Sequence, residues 1–269
     1  MSIHVHKTGL SKTLGQKSDT IVDPDNILGN FVPSVVSAGH WDNSATNYNQ
    51  AIRRYNGITH NDSTPHNFEF DGTDDYLGEA STGYGGDAFE IITLNAFTLS
   101  QWAKTSDVDN SHCIFNIQDE NGDEYIDFYL DTGKASVWIQ SSANSVDSTF
   151  WYFGATSAET DSNATTVYSE DEWAYITFTH DDSGSYKCYK NGSYIATTSP
   201  LGEIGANWLS AYPLEIGRSD YENFYTGSGW KIGHVHVYGY ELTNSQIRQN
   251  FLATHKMHSD RIYGDTFEA

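Results

Sequence analysis

Residues 229–251 read Gly-Trp-Lys-Ile-Gly-His-Val-His-Val-Tyr-Gly-Tyr-Glu-Leu-Thr-Asn-Ser-Gln-Ile-Arg-Gln-Asn-Phe. The first half places Ile232, His234, His236 and Tyr238 on one side and Gly233, Val235, Val237 and Gly239 on the other, the two-residue period of a strand. Thr243 stands three residues before Gln246. Its hydroxyl can cap the Gln246 amide while the Gln246 side chain reaches back, as at the start of a helix. Ile247 and Phe251 then share one face of a short helix. A strand that runs into a capped helix, near the end of a chain otherwise patterned as strands, speaks to fold more than to chemistry.

The rest of the chain agrees. At 269 residues it fits one large all-β domain, and folding at this length buries roughly three quarters of the unfolded surface, so a core needs no metal or disulfide. Aromatics are 14% of the residues, with 18 Tyr, 7 Trp and 23 Gly, which favours strands joined by tight turns. Strands are predicted at 67–70, 76–79, 96–104, 113–118, 125–130, 135–140, 150–153, 173–179, 185–189, 193–197, 212–217 and 231–238. Asn121-Gly122 and Asn191-Gly192 suit type I′ hairpins, and Asp131-Thr132-Gly133 and Asp182-Ser183-Gly184 suit three-residue loops. No internal repeat is visible. The division predicted is an extended arm over 1–26, a single β domain over 27–253 and a C-terminal tail over 254–269.

Charge narrows the partners. Fourteen Lys+Arg against 36 Asp+Glu give −22, which repels nucleic acid and anionic lipid. The first 18 residues run against this, with Lys7, Lys12 and Lys17 and no acid, and are predicted to dock on an acidic neighbour. The N-terminus lacks the apolar core of a signal peptide and no run is long enough to span a membrane, so synthesis in the cytoplasm is expected. Cys113 and Cys188 lie in separate apolar or aromatic runs and read as buried, reduced thiols.

Four segments resemble the laminin-G-like, concanavalin A-type jelly roll, in that family's order. They are Phe68-Glu69-Phe70-Asp71-Gly72-Thr73-Asp74-Asp75-Tyr76, Phe97-Thr98-Leu99-Ser100-Gln101-Trp102, Trp173–Thr179 leading to Tyr189-Lys190-Asn191-Gly192, and Leu214-Glu215-Ile216-Gly217-Arg218 with the stretch quoted first. The resemblance covers roughly residues 65 to 252. It implies an all-β sandwich of two antiparallel sheets with a short C-terminal helix. Ahead of it, His40-Trp41-Asp42-Asn43-Ser44 and Tyr55-Asn56-Gly57-Ile58-Thr59 are similar to the lead-in of jelly-roll virion proteins of tailed bacteriophages. This implies a structural virion protein, a capsid decoration protein or a tail or fibre component, binding other virion proteins and copies of itself, with a trimer as one arrangement.

Candidate sites divide by chemistry. Retaining glucanases of this fold carry two carboxylates about 5 Å apart from a Glu-x-Asp-x-x-Glu strand. The nearest string here, Glu124-Tyr125-Ile126-Asp127, spaces them wrongly, and no nucleophile motif stands out, so no enzyme and no catalytic residue are predicted. His4-Val5-His6 and His234-Val235-His236 each put two imidazoles on one strand face, an arrangement that can hold a metal where chains meet on an axis. Histidines inside a closing strand more often pack, and no metal is assigned. Asp74-Asp75, Asp119–Asp123 and Asp181-Asp182 offer hard oxygens of the kind calcium takes, although solvated acidic turns are the simpler reading and no cofactor is assigned. Tyr221, Phe224 and Tyr225 form an aromatic loop that can stack on a sugar ring, so host glycans are the alternative partner and a carbohydrate-binding module or adhesin the alternative function. Trp102 and Trp173 alternate like core. Phe150 to Phe153 reads as a doubly buried or interface strand.

Overall fold

The structure is a computed structural model that describes residues 21–23, 26–37, 40–45, 51–79, 96–118, 125–141, 146–155, 164–181, 184–198, 214–219 and 224–258. Strands in chain order are β1 (Gly29–Ser37), β2 (His40–Asn43), β3 (Ile52–Tyr55), β4 (Thr59–Asn61), β5 (Asn67–Glu69), β6 (Tyr76–Glu79), β7 (Phe97–Lys104), β8 (His112–Gln118) and β9 (Tyr125–Asp131). They continue with β10 (Lys134–Ser141), β11 (Val146–Tyr152), β12 (Ala174–His180), β13 (Tyr186–Lys190), β14 (Ser193–Thr197), β15 (Leu214–Glu215), β16 (Arg218–Ser219), β17 (Phe224–Tyr225) and β18 (Lys231–Tyr238). Helix α1 (Asn244–His258) follows.

Two antiparallel sheets face each other. The larger runs β14-β13-β12-β7-β18-β1-β2-β3-β6, and the smaller β11-β10-β9-β8-β15. The quoted strand is the centre of the larger sheet. β18 pairs with β7 along one side, while its other side is shared between β5 at Lys231–Ile232 and β1 at Val235–Val237. At the far edge β6 reaches the smaller sheet, where Leu77 and Ile216 exchange backbone hydrogen bonds of 2.9 and 2.7 Å. The two sheets are therefore joined at β6 and β15.

Alternation fills the space between the sheets with Phe31, Leu99, Phe178, Val235 and Val237 from one side and Phe115, Ile126, Phe128 and Val137 from the other. Phe128 and Phe178 meet across the gap with ring centroids 4.5 Å apart. Each such ring contributes roughly 2–3 kcal/mol relative to exposure. Cys113 and Cys188 are free, buried thiols on different sheets, and burial pushes both thiols above their usual titration range.

Several expectations need correcting. A bulge sets Gly233 and His234 opposite Trp102, so Ile232 joins Val235 and Val237 in the core instead of lying with His234, His236 and Tyr238. The loop at Asp131 is a two-residue turn, because Asp131 pairs with Lys134 and both Thr132 and Gly133 have positive φ. The edge strand β11 is not doubly buried: Phe150, Trp151 and Tyr152 are half-buried. Trp102 is buried, but on the outer face of the sheet beneath α1. Helix α1 is longer than a short turn and continues to His258, into the stretch read as tail.

The capping box is present. Thr243 N–H donates to Gln246 Oε1 at 2.9 Å and Gln246 N–H to Thr243 Oγ1 at 3.4 Å. Polar bonds then fasten α1 and the last arm residues to β18. Val22 N–H donates to Asn250 Oδ1 (2.7 Å), Asn250 Nδ2 to Tyr238 Oη (2.9 Å), and Tyr238 O–H to the Val22 carbonyl (3.0 Å). The end of the arm thus docks on its own chain. Lys7, Lys12, Lys17, His4 and His6 lie outside the described residues.

Candidate binding surface at the joined edge

The joined edge is aromatic on its outside. Tyr55 and Tyr76 are register partners on β3 and β6, which brings their rings face to face with centroids 4.3 Å apart and planes 2° from parallel. Tyr76 lies 6.4 Å from the ring of Tyr225 on β17. Arg218, at the start of β16, spans the gap, its guanidinium carbon 4.8 Å from the Tyr76 ring centre and 5.9 Å from that of Tyr225. Arg53 lies 5.0 Å from the Tyr55 ring at the other end. Cation–π attraction of this kind adds about 0.5–1 kcal/mol per partly exposed pair. The result is a ladder, Arg53-Tyr55-Tyr76-Arg218-Tyr225, in which Arg53 is exposed and the other four are half-buried.

Glu215 lies at the base of the ladder. Its Oε1 is 3.5 Å from Arg218 Nη1, whereas its Oε2 is buried without a hydrogen-bond partner. Burial lifts this carboxyl to about 7, opposed by the Arg218 charge and reinforced by Asp127. Register continues the row inward across the smaller sheet: Glu215 faces Asn116, Asn116 faces Asp127, Asp127 faces Trp138 and Trp138 faces Phe150. Asp127 is fully enclosed, accepting from Asn116 Nδ2, from Tyr129 O–H (3.0 Å) and from Ser219 O–H (2.7 Å). Burial raises it to about 6 in spite of those bonds. Its role is to fasten the β16–β17 hairpin to the sheet.

The loop before β6 gathers acids. Asp71, Asp74 and Asp75 bring carboxylate oxygens within 4.8 Å of one another, a set of hard oxygens able to hold a divalent cation. Thr73 N–H donates to Asp71 Oδ1 (2.7 Å) and Asp71 N–H to Asp75 Oδ2 (2.9 Å). Gly72 has φ +79°, and a Cβ there would lie 2.3 Å from Ser228 N, so the loop closes only with glycine. Burial raises the Asp75 carboxyl. Of the other acidic loops considered, Asp181 is paired with Lys187 at 3.1 Å, while 119–123 and Asp182 lie outside the described residues.

Of the aromatic loop read from sequence, Tyr225 stands in the ladder. Tyr221 lies outside the described residues, and only the backbone of Phe224 is described, paired with Ser219. Tyr55, Tyr76, Arg53, Arg218 and Glu215 were not singled out as a site. Four of them lie in quoted motifs or strand strings, but nothing local shows that β3, β6 and β16 converge. His234 and His236 are buried and make no three-ligand metal group among the described residues.

Residues 71–248 match the family profile described as Concanavalin A-like lectin/glucanases superfamily. The chain belongs to this superfamily. No curated protein sequence matches it. Among solved structures it is similar to the receptor-binding domain of botulinum neurotoxin D, with 16% identity over 85% of this chain and 52% of that one and a TM-score of 0.58. The botulinum neurotoxin type G receptor-binding domain gives 14% identity over 84% and 51%, with a TM-score of 0.57. The chain spans about half the length of these neighbours, and at such identities the likeness concerns the fold.

Proposed function

We propose that this superfamily member is a non-catalytic recognition module that binds a saccharide at the joined edge. The observation that carries the reading is the Tyr76-Arg218-Tyr225 stack over Glu215, whose Oε2 is a buried acceptor without a partner. Tyrosine faces stack on the apolar face of a pyranose, and a carboxylate and a guanidinium then take its hydroxyls. The fold's likeness to receptor-binding domains supports a binding role over turnover. An array of immobilised neutral and acidic oligosaccharides tests it. Wild-type protein should retain a defined subset, and a Tyr76→Ala/Tyr225→Ala protein of unchanged circular dichroism should lose it. Retention of every signal by the double variant rules the site out.

The setting we propose is a tailed-phage particle, where the module serves as a decoration protein or fibre component. The lead-in His40–Ser44 and Tyr55–Thr59 supports this reading by its likeness to virion proteins, and the Lys7, Lys12 and Lys17 segment offers a basic contact for an acidic partner. Removing residues 2–18 should abolish incorporation into particles while the body stays folded. Incorporation at full occupancy would sink the arm's role.

A further inference from the structure

Three imidazoles lie sealed between the outer face of β18 and α1. His234, His236 and His258 are 4%, 0% and 2% exposed. Strand alternation puts the His234 and His236 rings side by side, centroids 4.6 Å apart. His258, from the last turn of α1, lies directly on Gly233, where a Cβ would be 2.1 Å from its Cε1, and stacks on Trp102 at 5.0 Å. Its Nε2 accepts the His234 backbone N–H at 3.2 Å, so that nitrogen carries no proton. His234 Nε2 lies 2.7 Å from Asn30 Oδ1 and His236 Nδ1 lies 2.8 Å from Tyr175 Oη. The remaining ring nitrogen of each histidine is buried without a hydrogen-bond partner.

The titratable groups around the cluster are His255 on α1, His66 ahead of β5, Tyr175 on β12 and Tyr238 on β18. Asp62 is 3.3 Å from His66, and among the described residues no carboxylate is bonded to any of the three buried rings. Among the described residues a positive charge arising here meets no counter-ion, and it sits against two further imidazoles.

We propose that this cluster is an acid-operated latch: protonation of His234, His236 and His258 releases α1 from the sheet and bares Trp102 and Tyr175. A proton on His258 Nε2 removes the acceptor of the His234 amide, and each later charge repels the first. Burial holds His234 down to about 3 and the other two well below 6.5, with the neighbouring imidazoles adding to the effect. The latched form therefore binds fewer protons than the released one. It is fully favoured above about 6.5 and loses ground as the pH falls from there towards about 3. At pH 5 each ring that titrates on release raises the released-to-latched ratio about 30-fold, and three raise it on the order of 10⁴-fold.

Amide hydrogen exchange on the full chain at pH values from 7.5 to 5.0, corrected for the intrinsic pH dependence of exchange, reads this directly. Residues 244–258 should lose protection by about 10³- to 10⁴-fold at pH 5 while β7 and β12 keep theirs, with log protection falling at two or more per pH unit between 6 and 5. A His258→Gln variant keeps an acceptor for the His234 amide and removes one titration, so the loss should shrink about 30-fold. If that variant does not fold, the wild-type slope decides alone. A slope below two, or loss of α1 in step with β7 and β12, overturns the latch.

Discussion

Two aromatic clusters on strand faces that turn away from the inter-sheet core meet opposite fates. Trp102 and Tyr175 lie beneath α1, which lays Phe251 on both rings, and Trp102 Nε1–H donates to Thr254 Oγ1 at 2.7 Å, so little surface remains. Tyr55, Tyr76 and Tyr225 lie at the joined edge, interleaved with Arg53 and Arg218 and half-buried. Both groups are made of similar residues on similar strands. What separates packing from recognition is the layer above: a helix with polar staples closes one, and guanidinium groups lie among the rings of the other.

That contrast is easiest to break at the covered cluster. Trp102→Ala should cost about 3–5 kcal/mol in urea unfolding, since it removes the ring that α1 rests on. A cost below about 1 kcal/mol would mean the helix seals nothing. Asn250→Ala should cost about 2–3 kcal/mol, because it strands the Val22 amide in a buried setting. Tyr225→Ala sharpens the other side: it should change stability by less than about 1 kcal/mol yet weaken oligosaccharide binding at least tenfold, about 1.4 kcal/mol. If stability falls by more than affinity, Tyr225 belongs to the core. The smallest effect is expected of Thr243→Ala, about 0.5–1 kcal/mol, from loss of the cap and visible as faster exchange in the first turn of α1.

Much of the covered side was legible in the sequence. Strand period, the turn glycine Gly192 and the Thr243–Gln246 box are local patterns, and local patterns survive in one dimension. Asn191-Gly192 forms its type I′ turn with φ of 51° and 76°, as its residue types demand. The bulge at Gly233–His234 was not legible, because it is set by pairing with Trp102 some 130 residues away, and it exchanges the face of Ile232. The binding edge was legible least. Tyr55 ends a four-residue strand whose string Ile-Arg-Arg-Tyr carries no clear period, and its contact with Tyr76 exists only through the β3–β6 register. The aromatic loop around Tyr225 was found by residue type alone, which named the neighbourhood and missed Tyr76, Arg218 and Glu215. The carboxyl of Glu215 was invisible as an acceptor until β15 placed it beneath the ladder.

The most direct test is calorimetric titration of one oligosaccharide retained by the wild-type protein into three proteins: wild type, Tyr76→Ala/Tyr225→Ala and Glu215→Gln. Recognition at the joined edge predicts at least a hundredfold loss of affinity for the tyrosine pair. It also predicts wild-type binding that weakens as the pH falls through about 7, where Glu215 gains its proton, and a pH dependence that disappears in Glu215→Gln. Unchanged affinity in the tyrosine pair, with the fold intact, would contradict it and move recognition away from this edge.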